Sequence, residues 1–278
     1  MSEVLVVIGV GGMGETIARR LGAGKTVLIA DFNESLLEGV ATSLRGDGYR
    51  VETHTVDVSS RESVRELAAR AAALGPVAQV AHTAGLSPVQ APKAAILHVD
   101  LLGVAHTVDE FAEVIAEGGA AVVIASMAGT QTGDALPSEM QQALATTATD
   151  DLLSLPFLGA DAIPDAGAAY GIAKRTNQLR MHAASVAWGK RGARINSISP
   201  GVISTPMGQA ELAGEHGGIM RAIVDASGTG RVGTSGDIAA AAAFLLGPDS
   251  TFITGTDLLV DGGATAAVRS GALTFPQA

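Results

Sequence analysis

Five consecutive apolar residues, Val4-Leu5-Val6-Val7-Ile8, stand near the start of the chain and stop at a cluster of glycines. An unbroken apolar run of that length, bounded by glycine, predicts a strand buried on both faces of a parallel sheet. Comparable runs follow at Thr26-Val27-Leu28-Ile29-Ala30, over 50–56, over 77–81 and over 120–126. Between them the apolar positions take helical spacing, from Glu15, over 34–45, over 61–74 and along a stretch from 93 to 117. Strands alternating with helices of this length predict βαβ units, right-handed crossovers and a doubly wound α/β sheet.

Nothing in the composition divides that pattern. The 278 residues hold no repeat, no low-complexity tail and no linker rich in Gly, Ser or Pro, so a single domain over 1–278 is expected. With 47% apolar and 17% charged residues the chain can bury a full core. Its net charge of −10 argues against a nucleic-acid or anionic-membrane partner. The longest run without Asp, Glu, Lys or Arg, 71–92, contains Pro76, Pro88 and Pro92 and does not suit a membrane span, and neither a span nor a signal peptide is expected. Cysteine is absent, which excludes disulfides and thiolate chemistry and fits a cytoplasmic location. His54, His82, His98, His106, His182 and His216 show no ligand spacing, so they read as structural or surface residues and no metal site is expected.

The glycines after the first strand change the picture. Gly9-Val10-Gly11-Gly12-Met13-Gly14 places Gly9, Gly11 and Gly14 in a G-x-G-x-x-G pattern between strand and helix, where bare backbone can approach a pyrophosphate at a helix N-terminus. Asp31 ends the next strand, 22 positions after Gly9, with Phe32 beside it. A carboxylate there suits ribose hydroxyls and repels a 2′-phosphate, which predicts NAD as cofactor. Asp57-Val58 follows the third strand, where an adenine would rest, and Thr83-Ala84-Gly85 forms the turn after the fourth. Tyr170 and Lys174 stand four apart on a predicted helix, hence on one face. An ammonium there would lower the phenol from its usual pKa of about 10 and fit it for proton exchange with an alcohol or carbonyl oxygen.

These features, with Ser126-x-x-Gly129, Pro200-Gly201 through Ile203 and Thr205, and Asp261-Gly262-Gly263, occur in one order along nearly the whole chain. In that order the chain resembles the short-chain dehydrogenase/reductase family. The resemblance implies a Rossmann-like parallel sheet of seven strands in the order 3-2-1-4-5-6-7 with helices on both faces. It assigns Ser126 to steady the substrate oxygen, Tyr170 to acid/base catalysis, and Lys174 to the nicotinamide ribose and the tuning of Tyr170. Ile203 and Thr205 would dock the carboxamide. Transfer of a hydride by the cofactor leaves the protein only a proton donor, a polariser and placement to supply.

Three departures from the family pattern bear on the site. The glycine turn is one residue shorter than usual, with Ile8 where threonine is common, and Thr83 replaces an asparagine. Asp100 stands where the family carries the asparagine of a proton relay, and is counted with the catalytic residues; as a second buried charge it would retune Lys174. Ser126 and Tyr170 are 44 positions apart, an insertion over 130–165 with a helix-prone stretch at 138–148 and a turn-rich stretch at 156–164. Its acids, Asp150, Asp151, Asp161 and Asp165, read as solvated loop residues rather than a glycosidase pair. The insertion would either wall the substrate pocket or cover the outer surface of the 93–117 and 170–190 helices, a surface that many relatives use to pair subunits.

The insertion, with Ala187-Trp188-Gly189, Arg194-Ile195-Asn196 and Val260-Asp261-Gly262-Gly263, is similar to the bacterial 3α-hydroxysteroid dehydrogenase/carbonyl reductase branch. That implies a small apolar ketone or secondary alcohol, alicyclic or steroid-like, and a homo-oligomer, dimer or tetramer. A Gly-rich segment over 202–230 carries Met207, Ile219 and Met220, which would line the pocket or simply fill core. The alternatives are a 3-oxoacyl-type reductase of the same family, an epimerase or dehydratase, for which 104 residues after Lys174 are few, and a non-catalytic NAD-binding regulator, which would not need Ser126, Tyr170 and Lys174 together.

Overall fold

In the computed structural model, residues 2–159, 161–214 and 217–273 are described; His216 lies outside them. The elements run β1 (Val4–Ile8), α1 (Gly12–Leu21), β2 (Thr26–Asp31), α2 (Glu34–Gly46), β3 (Arg50–Thr55), α3 (Arg61–Leu74), β4 (Val77–His82), α4 (Lys93–Ile96), a π-helical turn (Leu97–Leu102), α5 (Gly103–Ala112), β5 (Ile115–Ile124), α6 (Met127–Ala135) and α7 (Ser138–Thr146). After two 3₁₀ turns (Thr149–Ser154, Pro156–Leu158) come α8 (Ala166–Lys190), β6 (Arg194–Pro200), β7 (Ile203–Ser204), α9 (Pro206–Ala213), α10 (Gly217–Ala226), β8 (Gly233–Thr234), α11 (Ser235–Leu246), β9 (Asp257–Val260) and α12 (Ala264–Arg269).

Seven strands form one parallel sheet in the order β3-β2-β1-β4-β5-β6-β9. This is the expected 3-2-1-4-5-6-7 arrangement; its last strand is the ninth in the chain because β7 and β8 pair separately. β1 is buried throughout, with Val4, Val6 and Ile8 facing one core and Leu5 and Val7 the other, since successive side chains of a strand point to opposite faces. Val64 and Leu67 of α3, Phe111 of α5 and Met181 and Trp188 of α8 close the first core. Ile17 of α1, Leu37 and Leu44 of α2 and Ile238 and Leu245 of α11 close the second. The strand order reverses between β1 and β4, so a crevice opens at their carboxyl ends, the place where such sheets bind ligands.

The helix expected from 93 to 117 is broken and shorter. Its middle winds as a π-turn over Leu97–Leu102, and it stops at Ala112 because Ile115 already pairs with Val77. The partner of Gln79 is Ala120, so the four residues between Ile115 and Ala120 loop out, with Gly118 at φ +78°. A short helix inserted near Ser126, α6, was not foreseen, whereas the helix-prone stretch at 138–148 appears as α7 over Ser138–Thr146.

The insertion lies over the outer surface of the helices. Leu144, Leu152, Leu158 and Ile163 are buried against Ile96, Leu97, Leu101 and Ala105 and against Ala169 and Ala173 of α8. Polar groups fasten its rim: Arg61 meets Asp109 and Glu110 at 2.9 Å and Asp150 at 3.1 Å, while Arg180 donates to Thr149 Oγ1 at 2.8 Å. Asp165 caps α8 by accepting the Ala168 N–H at 2.8 Å. Asp150 and Asp165 therefore serve the scaffold. His82 and His106 are buried, His54 is half-buried, and His98 and His182 are exposed. Among the described residues no helix is long and apolar enough to cross a membrane.

Candidate active site

The turn after β1 is held from both sides. Gly9 has φ +86°, in the left-handed region that favours glycine, and a Cβ there would collide with the Ala84 backbone. A Cβ on Gly14 would collide with the Gly9 carbonyl, so α1 starts in contact with the strand end. Thr83 takes over the position of the family asparagine by donating to the Gly9 carbonyl at 2.5 Å, while its N–H donates to the Ile8 carbonyl at 2.7 Å. A side chain built on Gly11 would meet nothing within 4 Å, which leaves open space over the start of α1. The first N–H groups of a helix have no partner within it, so a helix start of this kind can receive an anion. Gly12 packs against Thr205, whose Cγ2 would lie 3.2 Å from an added Cβ.

Asp31 binds that turn directly. Its Oδ2 accepts the Val10 N–H at 2.8 Å and its Oδ1 accepts the Asn33 N–H at 2.9 Å. Each oxygen keeps a lone pair for a further donor. Phe32 beside it is 74% exposed, a large apolar side chain free at the rim of the crevice. Asp57 folds its Oδ1 back onto the Ser59 N–H and hydroxyl, at 2.9 and 2.6 Å, and Val58 is buried under Gly103, where a Cβ would clash with it.

Ser126 follows β5 and caps α6, its Oγ accepting the Ala128 N–H at 3.2 Å. α6 then crosses α8 at bare backbone: a Cβ on Gly129 would lie 2.6 Å from the Lys174 carbonyl carbon. The Ser126-x-x-Gly129 spacing thus brings the serine to the helix carrying Tyr170 and Lys174, where its hydroxyl favours the Tyr170 phenolate. Across the crevice, Gly201 donates its N–H to the Val260 carbonyl at 3.0 Å and touches Asp261, which fixes the turn after Pro200. Ile203 accepts the Thr205 N–H at 2.8 Å, and Thr205 caps α9.

Lys174 is 4% exposed, with Nζ 5.4 Å from the centre of the Tyr170 ring and donating to the Ile124 carbonyl at 3.3 Å. Its nearest charge is the Asp100 carboxylate: Oδ2 lies 3.0 Å from Nζ, an ion pair whose angle falls outside hydrogen-bond geometry. Asp100 is fully buried, and its Oδ1 accepts the Leu86 N–H at 2.8 Å. A Cβ on Gly85 would sit 3.0 Å from that Oδ2 and 3.2 Å from Nζ, so the glycine leaves room for the pair. Asp100 belongs to the π-turn, whose additional residue shifts the side chains that follow around the helix axis.

The electrostatics correct one expectation. Protein atoms crowd the Tyr170 ring, and this desolvation pushes the phenol above the ordinary tyrosine range; Lys174 pulls it down, but Asp100 pushes it back up, Ser126 favours the phenolate, and Glu211 opposes it. Without Asp100 the Lys174 charge would be opposed only by burial and by the weaker Glu211. Burial works against the charged form of Lys174, and Asp100 and Tyr170 outweigh it, so the ammonium is held above the ordinary lysine range. Burial also pushes the Asp100 carboxyl up, opposed by Lys174 and the Leu86 N–H.

Two residues of the site gave no sequence signal. Glu211 acts on Tyr170 from α9, its own carboxyl pushed up by burial. His82 ends β4 beneath Lys174, fully buried, with Nδ1 3.0 Å from Thr107 Oγ1, and is pushed down to about 3 by burial and by the lysine charge. Of the pocket candidates, Met220 packs with Met127, Ile223 and Ala264, whereas Ile219 is 49% exposed. Among the described residues no group of His, Asp and Glu is placed to hold a metal.

Comparison with known proteins gives this geometry a context. Residues 3–138 match the short chain dehydrogenase family, and residues 135–265 match the family described as enoyl-(acyl carrier protein) reductase. The short-chain dehydrogenase/reductase bsc3 of Alternaria brassicicola is 45% identical over 264 residues, 95% of this chain and 96% of that protein. The 3-alpha-hydroxysteroid dehydrogenase from Pseudomonas sp. B-0831, solved with NADH, superposes with a TM-score of 0.78 at 29% identity, covering 98% of this chain and 100% of that one. An actinorhodin polyketide ketoreductase variant solved with NADPH shares the fold, with a TM-score of 0.74 at 23% identity over 95% of this chain and 97% of that one. A matching sheet order, a crevice at the strand ends and a relative similar over almost the full length leave one conclusion: this chain belongs to the short-chain dehydrogenase/reductase family of oxidoreductases.

Proposed function

We propose that the protein interconverts a secondary alcohol and a ketone with NAD(H), on an apolar alicyclic or steroid-like substrate. The observation that carries this reading is the meeting of Ser126, Tyr170 and Lys174 beside the open glycine turn, at one end of one crevice. Asp31 supports NAD over NADP, because its carboxylate already occupies the turn and would repel a 2′-phosphate. The bound nicotinamide would supply or accept the hydride.

The chain's own residues would do the rest. The turn after β1 would bind the pyrophosphate through backbone N–H groups, and Asp31 would accept from ribose hydroxyls with its remaining lone pairs. Lys174 has three N–H donors; one goes to Ile124 and one faces Asp100, which leaves the third for the ribose by the nicotinamide. Ser126 would hold the substrate oxygen by its hydroxyl. Tyr170 would give that oxygen a proton during ketone reduction and take it back during alcohol oxidation. Val202, Met220 and Ile223, packed with Met127, give this end of the crevice an apolar wall suited to an alicyclic substrate.

The test is NAD- and NADP-linked turnover against a panel of steroids, cyclic alcohols, quinones and hydroxyacyl thioesters. Activity on cyclic or steroid alcohols with NAD supports the reading. Turnover confined to 3-oxoacyl or 3-hydroxyacyl thioesters would instead favour a 3-oxoacyl-type reductase of the same family.

A further inference from the structure

The family asparagine is neutral; the residue standing in its place here is a carboxylate, and it is bound to the catalytic lysine. We propose that Asp100 is a positioning residue that holds the Lys174 ammonium in a fixed buried slot and cancels much of its field at Tyr170, so that the tyrosine exchanges protons over a more alkaline range than a neutral residue at position 100 would allow. This deepens the proposed role of Tyr170 and rests on it.

The slot is bounded on three sides. Ile124 accepts from Nζ at 3.3 Å, Asp100 Oδ2 stands 3.0 Å away, and Gly85 lies against both groups with no room for a side chain. Asp100 is itself fixed: its second oxygen takes the Leu86 N–H at 2.8 Å, and the π-turn sets its direction. Side-chain exposures of 5% for Lys174 and 0% for Asp100 mean that water screens neither charge, and in such surroundings a neighbouring opposite charge has its largest effect. An isolated ammonium near the phenol would favour phenolate. Paired with a carboxylate, it presents the tyrosine with a dipole of no net charge.

The other groups facing the pair do not replace Asp100. His82, from β4, is neutral above its depressed pKa of about 3. Glu211, from α9, acts on Tyr170 in the same sense as Asp100 but more weakly, and Ser126, from the end of β5, carries no charge. On α8 itself the charged neighbour is Lys174. After burial itself, the two charges of the ion pair therefore act most strongly on the phenol.

The chain has two tyrosines, which makes the effect readable without substrate or cofactor. Tyr49 lies away from the site, its hydroxyl donating to the Arg19 carbonyl at 2.7 Å. In a Tyr49→Phe protein, ultraviolet phenolate absorbance reports Tyr170 alone. Its midpoint should lie above that of free tyrosine, and adding Asp100→Asn, which keeps the shape and removes the charge, should lower it by about one pH unit or more, tenfold in phenolate ratio. Equal midpoints in the two proteins would overturn the proposal. If Asp100→Asn does not fold, the Tyr49→Phe protein decides by itself: a Tyr170 midpoint below that of free tyrosine shows an uncancelled ammonium and overturns it. Failure to find an NAD-linked substrate leaves this titration unaffected, so the two readings fail separately.

Discussion

Asp31 and Val10 are joined by a 2.8 Å hydrogen bond from the Val10 N–H to the carboxylate, so the residue that would choose the cofactor also holds the loop that would receive it. Asp31→Ala should weaken NAD binding through both losses and narrow the preference for NAD over NADP, measured as Kd for each by intrinsic fluorescence of Trp188, the single tryptophan. A wild-type protein that binds NADPH more tightly than NADH would contradict the assignment.

His82 gives the fold a pH dependence of known sign. Its ordinary pKa of 6.5 falls to about 3 in the fold, chiefly through burial and then through Lys174. Between those values the unfolded chain binds a proton that the folded chain does not, so stability falls as pH drops through 6.5, approaching about 1.4 kcal/mol per pH unit from this residue. His82→Gln keeps a partner for Thr107 and should flatten the decline in urea unfolding between neutral pH and pH ~4. Superimposable curves for the two proteins would show that His82 is not held neutral.

How much of this was legible depended on whether the cause was local. The glycine turn, Asp31 and the Tyr170–Lys174 spacing are local patterns, and the crevice brings them together as the strand order requires. The break in the helix at Leu97–Leu102 left no mark, because a π-turn arises from packing against α8 and the insertion rather than from propensity. Glu211 and His82 were invisible for the same reason: their neighbours in space are far away in sequence. Lys174 does pull Tyr170 down as its spacing predicts, but burial of the ring outweighs it and Asp100 adds to the rise; burial comes from packing that the sequence does not spell out.

The insertion has two measurable consequences. Leu152→Ala empties a fully buried position and should cost about 2–5 kcal/mol of unfolding free energy. Replacing residues 131–164 by a short turn would expose Ile96, Leu97 and Leu101 on the surface it covers. Native protein is expected to be a dimer by light scattering, and the shortened protein should form a higher oligomer while retaining most of its NAD affinity. An unchanged subunit count in a folded, shortened protein would show that the covered face does not govern assembly.

The raised phenol fixes the direction of the pH profile. Ketone reduction needs protonated Tyr170 and should persist through neutral pH, falling only in alkaline solution. Alcohol oxidation needs the phenolate and should climb as pH rises past neutrality. Steady-state kcat/KM in both directions checks this, and an oxidation rate that plateaus below neutral pH would contradict it.

The most direct measurement is kcat of Tyr170→Phe with NAD(H) and the best alcohol or ketone of the panel, alongside circular dichroism. Removing only the hydroxyl should keep the fold and lower kcat by roughly 10²-fold or more, the scale of a positioned proton donor. A folded Tyr170→Phe protein that turns over at close to the native rate would contradict the account.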